Sequence, residues 1–289
     1  MYLLEYIMKH FVVLALFVFT KARAMYHATD DILNRLNDLC TVEPMLSCTY
    51  HDDILVLDIN RKKDEPIDTL WTFNEHARER ITGEIALHVV EDLVHMRTPN
   101  RITIIPILNV WGRRRVDNGE HCLRKNEHGV DTNRNYQIEE HHPYPRKGEE
   151  YEGEAPMSEK ESQLVSSLMQ RGVRRYINIH SGEFSMYMPY DSKMVEPPQA
   201  AAMKNFLHQL QPLCPECVEG SAAKVSSYKA YGTSVDYAMH LGVPEAYTFE
   251  VYGSEHGDCN EMFNPTTIED FNRVVGMWSE ILVTSLHIK

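Results

Sequence analysis

The chain has 289 residues, 43% of them hydrophobic and 25% charged, a balance that excludes a disordered polypeptide and suffices for one large core. Its formal net charge of -13, with 42 acidic against 29 basic residues, argues against a nucleic-acid partner and favours cationic partners or substrates.

Residues 1–24 read as a signal peptide. Lys9 and His10 precede the apolar run Phe11 to Phe19, and Ala22-Arg23-Ala24 offers a small-x-small cleavage site. The run is short for a membrane span, so a stable insertion is not expected, although Lys21 and Arg23 keep a signal anchor as the alternative. The expected location is therefore secreted or lumenal, within the secretory or endolysosomal pathway. The mature chain, residues 25–289, shows no internal repeat or linker and reads as one domain.

Its predicted elements begin with a helix over Asp30 to Leu39, Ile32, Leu33 and Leu36 facing inward. Strands follow over Asp53 to Ile59 and Ile67 to Phe73. A helix after Glu79 carries Ile81, Ile85, Val89 and Leu93 at four-residue steps, and the apolar Ile102 to Leu108 suits a strand buried on both faces. From Asn109 to Ser158 periodicity is lost, as in a long functional loop. Ser158, with Glu161 three residues on, predicts the N-cap of a helix running to Met169. Tyr176 to His180 is a strand ending in a polar residue, where an open sheet places chemistry. Helices over Gln199 to Leu210 and Gly232 to Leu241, a strand over Ala246 to Tyr252 and a last helix after Asn264-Pro265 complete the chain. Strands alternating with helices predict an α/β fold.

Six cysteines, an even number, fit an oxidising compartment. Cys40/Cys48 and Cys214/Cys217 are spaced to close small loops, leaving Cys122 for Cys259, one of the many connectivities that six cysteines allow. His76-Ala77-Arg78-Glu79 is an H-x-x-E that follows the strand ending at Phe73. Three residues of separation put both side chains on one face of a helical turn, where they can converge on one ion. Two histidines and a carboxylate are a usual ligand set for catalytic zinc, because they leave a position open for water. His180 is a candidate third ligand, and Glu250 a carboxylate in an aromatic and aliphatic setting.

His-Ala-Arg-Glu, Arg124-Lys125-Asn126, Gly129 to Asn135, Ile179-His180-Ser181-Gly182, Tyr228 to Asp236 and Thr248-Phe249-Glu250 occur in the order and spacing of the zinc metallocarboxypeptidases of the carboxypeptidase A/B type. The chain resembles that family through nearly all of its mature length. The resemblance implies a single-domain α/β/α sandwich whose mixed, mostly parallel central sheet is flanked by helices. It implies a metallo-exopeptidase that removes single C-terminal residues from peptides or proteins.

Residue by residue, the resemblance makes His76, Glu79 and His180 the ligands of one Zn2+ and Glu250 the general base on the water. Arg124 becomes the oxyanion donor, and Asn133, Arg134 and Tyr228 the clamp on the substrate's terminal carboxylate. Arg78 falls in a neighbouring subsite, and Asp131 becomes the acceptor that orients a ligand histidine. Two positions speak to side-chain preference. Val235 implies an apolar or aromatic C-terminal residue and Asp191 a basic one, and the balance of the two falls on apolar.

Glu75, Arg80 and Gly182 depart from the common family pattern without touching a ligand; Gly182, in place of an aromatic, implies a more open subsite. The chain before His76 and after Glu250 leaves no room for an inhibitory pro-domain or a transthyretin-like module, so no zymogen stage is expected; a monomer is a separate expectation. A zinc deacylase of small N-acyl amino acids is the alternative with the same ligands. A dead binding module is disfavoured because no ligand is missing, and an endopeptidase because Arg134 would be left unpaired.

Overall fold

The computed structural model describes residues 25–60, 65–136 and 147–288, so the expected signal peptide, residues 1–24, lies outside the described residues. Eight strands form one sheet in the order β1-β2-β4-β3-β5-β8-β6-β7. They are β1 (Leu46–His51), β2 (Ile54–Ile59), β3 (Thr69–Phe73), β4 (Ile102–Ile105), β5 (Arg175–His180), β6 (Phe184–Met188), β7 (Val218–Ser221) and β8 (Glu245–Val251). The pairs β3/β4, β3/β5, β5/β8 and β6/β7 are parallel, while β1/β2, β2/β4 and β6/β8 are antiparallel. The sheet is therefore mixed and parallel at its centre. Every residue of β3, β4 and β5 is buried, as expected of strands covered by helices on both faces.

The major helices match the periodicity closely. Thr29–Val42 (α1), Arg80–Met96 (α2), Lys160–Met169 (α4), Ala200–Leu210 (α5) and Ser234–His240 (α7) each bury an apolar face, with Ile32, Leu33 and Leu36 of α1 and Ile81, Ile85, Val89 and Leu93 of α2 inward as anticipated. The last helix, Ile268–Ser285 (α9), is tied to the sheet by Trp278, whose indole nitrogen donates to the Val251 carbonyl at 2.7 Å. Burying a side chain of this size contributes on the order of 2–3 kcal/mol, so α9 helps hold β8, the strand that carries Glu250, in place.

Several elements differ from the sequence expectation. Strands β1, β6 and β7 were not anticipated. β1 is an edge strand with mostly exposed side chains, and β7 is a four-residue segment containing Gly220, so neither shows a buried strand's apolar run. The supposed long loop contains a helix, Val110–Asp117 (α3), whose sequence is too polar to announce itself. Asn109 caps it by accepting from the Gly112 amide at 2.9 Å, and the buried Arg113 is neutralised by Asp117. Two short helices, Ala222–Ser226 (α6) and Cys259–Phe263 (α8), flank the cleft described below. Ser158 does not cap α4. Asn135 donates to its hydroxyl oxygen at 3.0 Å and its own proton goes to Glu159, so the helix begins two residues later, at Lys160.

The disulfides are Cys40–Cys48, Cys122–Cys259 and Cys214–Cys217, the pairing that the spacing suggested. Among the described residues, no helix is long and apolar enough to cross a membrane.

Candidate metal centre and substrate cleft

Three adjacent parallel strands, β3, β5 and β8, end at one rim of the sheet, the position at which open α/β sheets place their ligands. His76 and Glu79 lie just beyond β3, His180 is the last residue of β5, and Glu250 pairs with His180 in register on β8. His76 and Glu79 sit in a turn before α2 rather than within a helix. The Glu79 amide donates to the His76 carbonyl at 3.2 Å, and Glu79, with φ -85° and ψ 60°, is the last non-helical residue. The turn is pinned by Asn74, which adopts φ 52° and donates through its side chain to the His76 carbonyl at 2.9 Å. Asn264 braces it from the other side, accepting from the Ile81 amide and donating to the Arg78 carbonyl.

The ligating atoms of His76, Glu79 and His180 all lie within 4.8 Å of one another, and all three residues are buried. His76 Nδ1 stands 2.7 Å from Glu79 Oε1 and 3.1 Å from His180 Nδ1, which is itself 3.0 Å from Glu79 Oε2. Two donors that each bind one zinc at about 2.0–2.1 Å in tetrahedral geometry stand roughly 3.3 Å apart, so this donor set fits that ion. Burial opposes ionisation of Glu79, but His76 and His180 outweigh it and hold the carboxyl below its usual range. The anion needed for ligation is thus present. The other ring nitrogen of His76 is 3.1 Å from Asp131 Oδ1, the carboxylate–histidine arrangement that fixes ring orientation at metal centres.

Asp131 is a hub. It accepts from Arg124 Nε at 2.8 Å and Nη2 at 2.7 Å and from the Asn133 amide at 3.1 Å, which shapes the 3-10 turn Thr132–Arg134. Burial disfavours its charge, yet Arg124, Arg134 and His76 keep its carboxyl well below the ordinary value. Asn133 is held by accepting from the Ser234 amide at 2.9 Å. Gly232 lets this segment approach α7: it has φ 71°, and a Cβ there would stand 2.2 Å from the Arg134 carbonyl oxygen.

A cleft of about 330 Å³ opens over these groups, lined by His76, Glu79, His180, Glu250, Arg124, Asn133, Arg134 and Tyr228 together with Gly182, Tyr187, Asp191, Thr233, Thr248 and Phe263. Glu250 Oε2 is buried with no hydrogen-bond partner among the described residues. Burial, opposed by His180 and reinforced by Glu79 and Glu183, pushes its carboxyl up to about 8. Gly182 leaves space beside it, since a Cβ there would reach to 3.3 Å from Phe263 and 3.6 Å from Glu250 Oε2.

Two anticipated residues are not among those lining the cleft. Val235 is not among the residues lining the cleft; α7 turns it into the hydrophobic core. Arg78 stands outside the lining, its guanidinium 4.2 Å over the Phe263 ring. Asp191 does line the cleft, beside Asp236, which is itself satisfied by the Asp191 and Ser192 amides.

Two residues escaped the sequence reading as site residues. Glu75, fully buried, accepts from Asn178 at 2.6 Å and stands 3.6 Å from His180 Nε2. A carboxylate directly before the first ligand histidine was the signal available for it. Glu150 contacts Arg134 and Tyr228, and nothing local marks it.

The family profile described as zinc carboxypeptidase matches residues 25–274. The chain belongs to the zinc carboxypeptidase family. Among curated zinc carboxypeptidases it is 24% identical to mouse carboxypeptidase A6 over 272 residues, covering 80% of this chain and 61% of that one. It is 25% identical to carboxypeptidase B of Helicoverpa zea over 250 residues, covering 72% and 55%. The chain thus spans less than two thirds of the length of these relatives. Its fold is similar to that of bovine thrombin-activatable fibrinolysis inhibitor, solved in complex with tick carboxypeptidase inhibitor, with TM-score 0.79 at 20% identity over 91% of this chain and 96% of that one. Carboxypeptidase A of Helicoverpa armigera is comparable, with TM-score 0.78 at 20% identity over 98% and 80%.

Proposed function

We propose that this protein is a secreted or lumenal zinc-dependent exopeptidase that removes single C-terminal residues, preferentially Lys or Arg, from peptides or proteins. The observation that carries the activity is the convergence of His76, Glu79 and His180 beside Glu250 and a fixed guanidinium pair in one cleft. The observation that carries the preference is Asp191 in the cleft lining while Val235 is withdrawn into the core. This reverses the apolar preference expected from the sequence, because an acid beside the substrate's last side chain recognises a cation and disfavours an apolar group. Three disulfides support an oxidising compartment.

His76, Glu79 and His180 would hold one zinc, which supplies Lewis acidity to a water and to the scissile carbonyl. Glu250, its proton affinity raised by burial, accepts a proton from the attacking water and returns it to the leaving amine. Arg124, fixed by Asp131, donates to the carbonyl oxygen as it becomes negative, a contribution of about 3 kcal/mol by comparison with other oxyanion donors. Arg134, Asn133 and Tyr228 hold the terminal carboxylate, a group that an internal peptide bond lacks.

Hydrolysis of blocked dipeptides ending in Arg and in Phe, with and without a zinc chelator and beside Glu250→Gln, tests the reading. Chelator-sensitive release, faster for Arg and lost in the variant, is the expected result. Zinc-loaded, folded protein that releases neither residue would refute it and bring forward deacylation of N-acyl amino acids at the same centre.

A further inference from the structure

The groups assigned to the substrate's carboxylate already hold one. Arg134 Nη2 donates to Glu150 Oε1 at 2.6 Å, and the Tyr228 hydroxyl donates to that same oxygen. The neighbouring Glu149 accepts from Arg78 Nη1 at 3.1 Å. Two successive acids of one turn therefore engage two arginines at the cleft and its rim. The cationic half of the central pair is buried, and the anionic half is partly exposed. The Arg134 side chain is 6% exposed and also donates to the Asn133 carbonyl at 2.9 Å, whereas the Glu150 side chain is 34% exposed. Burial works against the charge of Glu150, but Tyr228 and Arg134 prevail and hold its carboxyl below the usual range. Neutral conditions leave it ionised.

We infer that Glu150 is an intramolecular competitor for the substrate's C-terminal carboxylate, and that it must leave Arg134 and Tyr228 before a substrate can be held there. This rests on the carboxypeptidase reading of the cleft. The Tyr228 phenol has one proton to give, so a second carboxylate cannot take it together with the Arg134 Nη2 donor while Glu150 holds both. Binding therefore exchanges one set of charge-assisted hydrogen bonds for an equivalent set, and the clamp contributes only the difference. A substrate must then draw its net affinity from other contacts, above all from the side chain that meets Asp191. Glu150 thus lowers the affinity common to all substrates, and their ranking is left to the contacts of the last residue.

The test uses the full zinc-loaded chain and a matched pair of probes, N-acetyl-arginine with its free carboxylate and N-acetyl-argininamide without it. Binding of each is measured by titration calorimetry for wild type, Glu150→Gln and Glu150→Ala. KM and kcat for the Arg-ended dipeptide are measured in parallel. The acid should bind about tenfold tighter in both variants, a difference of about 1.4 kcal/mol, with the amide unchanged and the kinetic gain in KM rather than kcat. Unchanged or weaker binding of the acid in both variants overturns the proposal, and the weaker result would make Glu150 a support for the clamp. Tighter binding of the acid in the variants, from a protein that hydrolyses no dipeptide, upholds the exchange while removing the carboxypeptidase reading.

Discussion

His180 and Glu250 are direct register partners on the parallel strands β5 and β8. Register partners on adjacent strands project to the same face, so a candidate ligand and a candidate base are set side by side by backbone hydrogen bonds rather than by a loop. Glu250→Gln keeps the shape and removes the base. Its kcat should fall about 10²- to 10⁴-fold with zinc still bound one to one, read by metal analysis beside kinetics. Simultaneous loss of the metal would make Glu250 a ligand instead.

Asp191 predicts a pH dependence. Burial and the neighbouring Asp236 push its carboxyl up to about 7, against the Thr233 hydrogen bond and the charges of Arg134 and His180. It is mainly neutral below that pH and ionised above it, so an Arg or Lys at the substrate's end gains its partner as pH rises through about 7. The ratio of kcat/KM for Arg-ended over Phe-ended substrates should climb through this range. Asp191→Asn should flatten the ratio and lower the Arg-ended value by about tenfold to a hundredfold. A Phe-ended substrate that stays the better one at every pH would contradict the assignment.

Glu75 should matter to metal affinity. It stands 3.6 Å from His180 Nε2 while Asp131 stands 3.1 Å from His76 Nε2, so each candidate ligand histidine faces a buried carboxylate. Glu75→Gln should weaken zinc binding by about tenfold to a hundredfold in competition with a chromophoric chelator. An unchanged zinc Kd would leave Glu75 only as the acceptor for Asn178 and for the Tyr136 hydroxyl, which donates to it at 3.3 Å.

The Cys122–Cys259 disulfide joins the Arg124 segment to α8, which carries the cleft residue Phe263. Its separation of 137 residues is the widest of the three bridges. Replacing both cysteines by Ser should destabilise the fold by about 2–5 kcal/mol and reduce kcat by loosening Arg124. Denaturant unfolding and steady-state kinetics read the two effects separately, and a variant with unchanged midpoint and kcat would assign the bridge no role in either.

The central sheet was legible because strands buried on both faces read as mainly apolar runs, as in Leu70-Trp71-Thr72-Phe73 and Ile177-Asn178-Ile179, whose polar members Thr72 and Asn178 are hydrogen-bonded. The edge strand β1 was not, because its side chains are mostly exposed, and the polar helix α3 was not, because it is held by contacts such as that of Arg113 with the His27 carbonyl, 86 residues earlier. Ser158 misled for the same reason. Its hydroxyl satisfies a local capping rule, but Asn135, 23 residues earlier, engages it first.

The sequence by itself pointed to the candidate ligand set, the candidate base and the α/β class, and offered the cysteine pairing as one connectivity among many. Metal chemistry demands particular side chains at short spacings, and those are visible in one dimension. Only the tertiary structure decided that Asp191 rather than Val235 faces the cleft, that Glu75 stands behind His180, and that Glu150 sits on Arg134 and Tyr228. The Tyr228–Glu150 contact spans 78 residues, and the direction of Val235 follows from how α7 packs against the sheet. Such relationships arise when separate elements are brought together around one core, and no local spacing encodes them.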